Sequence, residues 1–282
     1  MNVKSMGNFI AVSSDIEIQI ESLYKKFDDN HVLRGVDLEI RRGEMIAIVG
    51  GSGCGKTVLL NHILGLLQPD TGRVLVRDHA QPDKPIVDLS TFEDQLELDR
   101  IHTHWGIVFQ RNALFSGTVL DNIGLFLCEV KNFEIDDVKP VASTVLQAVG
   151  LPADPEFLNL DIGSLSGGMA KRLAVARALS MDPAVIFYDE PTTGLDPTSA
   201  NQIHELILAT HINARTSEIN SANTTTVIIT HDKDLLNRLQ PRIVMLHEGR
   251  ILFDGSYGEF KNSRSSVIRP YFNLMPILHE QP

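Results

Sequence analysis

Met45-Ile46-Ala47-Ile48-Val49-Gly50-Gly51-Ser52-Gly53-Cys54-Gly55-Lys56-Thr57 decides how the rest of the chain is read. The apolar run Met45 to Val49 suits a strand covered on both faces, and Val58, Leu59, Leu60, Ile63, Leu64 and Leu67 recur at helical spacing after it. Between strand and helix, Gly50, four residues, Gly55, Lys56 and Thr57 form a phosphate-binding loop. Its backbone N–H groups can surround phosphate oxygens at a helix N-terminus. The candidate binding residues are therefore Gly50, Gly51, Ser52, Gly53, Cys54, Gly55, Lys56, Thr57 and, in the first turn, Val58. Lys56 is expected to reach the outer phosphates and the Thr57 hydroxyl to bind Mg²⁺. The loop by itself specifies a nucleoside triphosphate and no particular chemistry.

Bulk properties narrow the setting. The chain has 282 residues, 43% apolar and 22% charged, enough for one large α/β domain or a domain with an appendage. Its net charge of -11 argues against nucleic acid as the main partner, since binding a phosphate backbone needs clustered Lys and Arg. Two cysteines, Cys54 and Cys128, make no disulfide framework and point to a reducing cytosol. The N-terminus carries no secretory h-region and no run of about 18 apolar residues occurs, so any membrane role is expected to come through a partner.

Working outward, Ile16, Ile18 and Ile20, then Val36, Leu38 and Ile40, alternate with polar residues as two half-buried strands after a polar leader. Phe27 lies at the turn between them, where its ring could stack on a nucleobase or pack the hairpin. The helix after Thr57 is expected to end near Gln68-Pro69, with a strand at Arg73 to Val76 and a surface excursion from Asp78 to Arg100 that carries a short acidic helix, Thr91 to Leu98. His102 and His104 have no neighbouring Cys or His to complete a metal site. A strand Trp105 to Phe109 ends at Gln110, and a helical lobe follows, about 111–182. Late in it Ser166 precedes Gly167 and Gly168 as an N-cap that leaves room for close approach, which suggests a second anion site. The apolar strand Ala184 to Tyr188 stops at Asp189-Glu190, at the carboxyl end where α/β sheets gather ligands. A turn through Asp196, a helix to about Ala209 and a polar loop from His211 to Thr224 lead to the strand Thr225 to Thr230 and His231. Pro241 to Leu246 and Arg250 to Phe253 complete the sheet, and residues 263–282 form a tail too apolar to hang free.

The ordered set of phosphate loop, Gln110, Leu165-Ser166-Gly167-Gly168-Met169, Asp189-Glu190, Leu195-Asp196 and His231 resembles the nucleotide-binding subunit of ATP-binding cassette (ABC) transporters across residues 16–262. The resemblance implies an α/β fold: a P-loop NTPase core with a RecA-like mixed sheet, an antiparallel β subdomain and an inserted helical subdomain. It implies ATP and Mg²⁺, with Phe27 stacking on adenine, Thr57, Gln110 and Asp189 around the metal, and Glu190 orienting and deprotonating the attacking water. His231 would contact the terminal phosphate. Ser166, Gly167 and Gly168 would close on a partner's ATP and Asp196 would bridge the two subunits, in a head-to-tail homodimer.

The signature run Ser166-Gly167-Gly168-Met169-Ala170-Lys171-Arg172, with Asn112-Ala113-Leu114-Phe115, is similar to the ATPase of Mla-type phospholipid transporters. This implies a polytopic permease docking near Gln110 to Leu127, an MCE-domain lipid-binding subunit, a STAS-domain regulator and a place on the cytosolic face of the inner membrane. The ATPase of an amino-acid or other small-solute importer would share every catalytic residue; a non-transport ABC ATPase would be expected to show paired cassettes or a basic surface. The tail is expected to pack on the neighbouring copy or on the regulator, or else to fold back on its own core.

Overall fold

The computed structural model describes residues 15–81, 86–92, 94–213 and 224–276. Strands β1 (Ile16–Phe27) and β2 (Asn30–Arg41) pair antiparallel, with Ile18 opposite Ile40 and Ile20 opposite Leu38. The alternation read from the sequence thus puts both sets of apolar side chains on one buried face. β4 (Thr71–Arg77) and β5 (Ile86–Asp88) extend this sheet in the order β2-β1-β4-β5. The second sheet is mixed and contains β3 (Met45–Val49), β6 (Trp105–Val108), β7 (Val185–Asp189), β8 (Thr225–Ile229), β9 (Arg242–His247) and β10 (Arg250–Ser256). Its order is β10-β9-β3-β8-β7-β6, with only the edge strand β10 antiparallel to its neighbour.

Helices α1 (Lys56–Ile63), α6 (Gly167–Ser180), α7 (Pro197–Asn213) and α8 (Lys233–Leu239) cover the mixed sheet. The period of two in β3 divides its side chains between two cores. Ile46 and Ile48 join Leu59, Leu60 and Ile63 of α1 and the antiparallel sheet, whereas Ala47 and Val49 join the helices on the far side. The latter core continues into a helical lobe of α3 (Val119–Glu129), α4 (Ile135–Ala148) and α5 (Pro155–Leu158), whose apolar faces pack against α6. Thr118 and Asp121 begin α3 with a reciprocal capping box.

Three local expectations are corrected. Helix α1 stops at Ile63, not near Gln68, because Gly65 takes φ +69° and the N–H groups of Leu66 and Leu67 turn back to the Asn61 carbonyl. The acidic helix is α2 (Gln95–His102), later than Thr91 to Leu98, since the Asp94 carboxylate caps the Leu96 N–H and Leu98 and Ile101 are the buried pair. His102 therefore closes a helix and donates from Nε2 to the Leu64 carbonyl at 2.9 Å. Helix α7 continues past Ala209 through His211, which is buried with Nδ1 3.0 Å from the Thr226 hydroxyl. The remainder of that expected loop, 214–223, and the leader, 1–14, lie outside the described residues.

In the tail, α9 (Tyr257–Lys261) and α10 (Ile268–Leu274) fold back on the chain's own core. Ile268, Phe272 and Met275 are buried there, and Phe272 meets Phe260 edge-on at 5.8 Å. Between the alternatives for the tail, fold-back is what these residues do; Ile277 and Leu278 lie outside the described residues.

Candidate functional site

The phosphate loop leaves β3 at Gly50 and enters α1 at Gly55. A Cβ on Gly50 would stand 2.3 Å from the Leu246 carbonyl oxygen and 2.6 Å from Cys54 Sγ, so only glycine passes there. Gly55 caps α1 in the left-handed region, φ +106°, with no side-chain hydrogen bond and no acidic residue in the first turn. The helix therefore presents its first N–H groups without a side-chain partner, the electrostatics an anion needs. Lys56 folds over the loop, its Nζ donating to the carbonyls of Gly50 at 2.7 Å and Gly51 at 3.1 Å.

Strands β7 and β8 deliver the acidic end. Asp189 pairs with Ile229, and burial, reinforced by the adjacent Glu190, holds its carboxyl above the usual range against the pull of Lys171 and Lys56. A dication is the natural compensation for such a carboxylate, so the donor set Asp189 and Thr57 fits Mg²⁺. Glu190 turns with φ +48°, its N–H on the Ile229 carbonyl, and its carboxylate accepts from His231 Nδ1 at 2.8 Å. Behind His231, fully buried Asp232 accepts from the Thr192 hydroxyl at 2.7 Å and from His204 Nε2 at 3.1 Å, and caps α8 through the Asp234 and Leu235 N–H groups. Burial pushes the Asp232 carboxyl upward, but the His204 and Thr192 hydrogen bonds outweigh it and hold the group below the ordinary range.

Gly50, Gly51, Ser52, Lys56, Glu190 and His231 share a cavity of about 440 Å³ whose remaining wall is Tyr271, Leu274, Met275 and Pro276. Hollows of about 560 and 610 Å³ elsewhere on the molecule hold none of the candidate residues. The other candidates are outside the 440 Å³ cavity. Phe27 is 43% exposed at its turn, with its ring 5.6 Å from Lys25 Nζ of the same strand. Ser166 caps α6 through the Met169 N–H, with Gly167 exposed and Gly168 tight against Ser199. Asp196 begins α7, its carboxyl held below the usual range by the Ser199 hydroxyl and N–H. Gln110 is exposed beyond β6.

Lys171, part of the signature run, has a structural role that the sequence does not reveal. It is only 2% exposed, and its Nζ donates to the carbonyls of Phe109 at 3.0 Å and Gln110 at 2.9 Å, tying the signature helix to the segment that carries Gln110. Burial lowers its ammonium to about 8, with Asp189 opposing. Its only mark in the sequence is a charge among residues that are otherwise buried on α6.

Residues 33–193 match the family model described as ABC transporter. The chain is 34% identical to Protein TRIGALACTOSYLDIACYLGLYCEROL 3, chloroplastic, of Arabidopsis thaliana, over 92% of this chain and 74% of that protein. It is 31% identical to the L-cystine import ATP-binding protein TcyN of Bacillus subtilis, over 90% and 92%. The fold is similar to the dimeric post-hydrolysis structure of the ATP-binding cassette MJ0796 bound to ADP and Pi, with a TM-score of 0.69 and 28% identity over 85% of this chain and 98% of that one. Among the described residues no helix is long and apolar enough to cross a membrane. With a phosphate loop, an acidic strand end and a signature helix in one α/β fold, the chain belongs to the ABC transporter family as an ATP-binding subunit that hydrolyses ATP with Mg²⁺.

Proposed function

We propose that this subunit powers phospholipid transport between an inner and an outer membrane, maintaining outer-membrane lipid asymmetry, as a homodimer with a polytopic permease, an MCE-domain lipid-binding protein and a STAS-domain regulator. The observation that carries the reading is the Met169-Ala170-Lys171-Arg172 continuation of the signature, joined to Asn112 to Phe115. Arg177 of the same helix donates to the Ala113 carbonyl at 2.8 Å and covers the Phe115 ring at 5.2 Å. Phe115, 53% exposed, then stands with exposed Phe109 and Leu125 along the segment where the permease would dock. The Arabidopsis relative carries a lipid in its name. A second reading, an amino-acid importer, is favoured by the relative named for L-cystine import.

In either reading the chemistry is phosphoryl transfer by positioning and charge neutralisation. The loop amides and Lys56 receive the phosphates; Thr57, Asp189 and Gln110 would hold Mg²⁺, which when bound neutralises phosphate charge. Glu190 takes the proton of the attacking water on its carboxylate, oriented by His231 Nδ1, and the other ring nitrogen of His231 serves the terminal phosphate. Ser166 to Gly168 and Asp196, which do not line the 440 Å³ cavity, would serve the other copy's nucleotide. The test is mild-detergent purification of tagged Glu190→Gln protein from its native membrane, with mass spectrometry of what accompanies it. An MCE-domain protein with a permease supports the lipid reading; a periplasmic solute-binding protein overturns it and leaves the ATPase chemistry standing.

A further inference from the structure

The C-terminal helix supplies a wall of the cavity that holds Lys56, Glu190 and His231, and one of its side chains touches the phosphate loop directly. The Tyr271 phenolic oxygen accepts the Gly50 N–H at 2.9 Å, while the carbonyl of the same Gly50 accepts Lys56 Nζ at 2.7 Å. Gly50 is hemmed in by the Leu246 carbonyl and Cys54 Sγ, so its backbone has little freedom to find another acceptor. The ring is itself fixed: it meets Phe260 edge-on at 6.5 Å, and the next residue, Phe272, is buried beneath Lys233 Nζ, 4.4 Å from its ring. Lys233 follows His231 and Asp232 in sequence, so α10 is seated on the same strip that carries the catalytic histidine.

We propose that Tyr271 is a positioning residue for nucleotide binding: by holding the Gly50 N–H it keeps the phosphate loop, and the lysine that rests on it, in the shape that receives phosphate. A loop already shaped loses less conformational freedom when nucleotide enters, so the phenol strengthens binding without touching the ligand. Burial pushes this phenol up to about 12, which keeps it neutral and able to accept at any physiological pH. The role is independent of which substrate the transporter carries and rests only on the phosphate loop being the nucleotide site.

The experiment compares the full chain with Tyr271→Phe and Phe272→Leu, measuring Mg²⁺-dependent binding of ADP and of a non-hydrolysable ATP analogue by calorimetry, and the Tm of each protein without nucleotide. Tyr271→Phe keeps the ring and loses one neutral hydrogen bond, so affinity for both nucleotides is expected to fall about three- to tenfold. Phe272→Leu loosens the same helix without touching Gly50; its Tm is expected to fall at least as far while affinity stays within about twofold. Affinity unchanged in Tyr271→Phe, or weakened equally in both variants, would reduce Tyr271 to a packing residue and overturn the inference. A wild-type chain that bound neither nucleotide would overturn the phosphate-site reading itself, and the inference with it.

Discussion

Replacing Lys171 by Met separates tethering from stability. The Lys171 ammonium titrates near 8 in place of its ordinary 10.5. At about 1.36 kcal/mol for each tenfold change, carrying the charge in the fold costs roughly 3 kcal/mol at neutral pH. Its hydrogen bonds to the Phe109 and Gln110 carbonyls, charge-assisted and worth about 1.5 kcal/mol each, offset most of that cost. Met fills the volume of the stem, and Phe109 and Gln110 are exposed enough for their carbonyls to take water instead. Stability at pH 7 should therefore move by no more than about 1 kcal/mol in urea denaturation. The released Gln110 segment should lower ATP turnover at saturating ATP by about tenfold or more, if Gln110 helps position the metal and water.

The pH dependence gives an independent check. With the folded pKa below the unfolded one, the unfolded chain binds more protons between about pH 8 and 10.5, so stability rises with pH across that window. The wild type should gain stability from pH 7 to 9 relative to Lys171→Met. A variant several kcal/mol less stable at pH 7, yet with full turnover per folded molecule, would refute the tether and leave Lys171 a structural prop.

Further outcomes are expected elsewhere in the site. Glu190→Gln removes the proton acceptor held by His231, so hydrolysis should fall about 10²- to 10⁴-fold while ATP binding survives and the dimer accumulates in size-exclusion chromatography. Lys56→Ala should instead lose affinity, seen as weak ATP uptake in equilibrium binding. Asp232 has a folded pKa below its ordinary 3.8, so its contribution is complete above about pH 4 and lost as the pH falls further. Asp232→Asn should begin less stable at pH 7, His204 and Thr192 having lost their ionised partner, and should lose less than the wild type on acid titration to pH 3.

Local physics explains what could be read in advance. Strand, glycine loop and helix are contiguous from Met45 onward, and the run Val185 to Tyr188 ends abruptly in two carboxylates, so both halves of the site announce themselves within a few residues. Helix ends were harder. The apolar spacing through Leu67 persists after α1 has stopped, because Gly65 reverses the backbone while Leu64 continues to pack in the core. Three functional supports were invisible for a different reason, distance along the chain. Tyr271 finds Gly50, Lys171 finds Phe109 and Gln110, and Asp232 finds Thr192 and His204, each across tens to hundreds of positions. A tyrosine in an apolar tail, or a lysine on a buried helix, carries no sign of which backbone it will meet.

The way β3 divides its side chains has a mechanical consequence. Ile46 and Ile48 are set into one core while Ala47 and Val49 are set into the other, so the strand is a partition gripped from both sides. β7 is shared in the same way, Val185 and Phe187 on one side and Ile186 and Tyr188 on the other. Packed interiors resist continuous deformation. A swing of the helical lobe during an ATP cycle would be expected to pivot around these two strands, with the phosphate loop and the Asp189-Glu190 corner, which leave their ends, close to the axle.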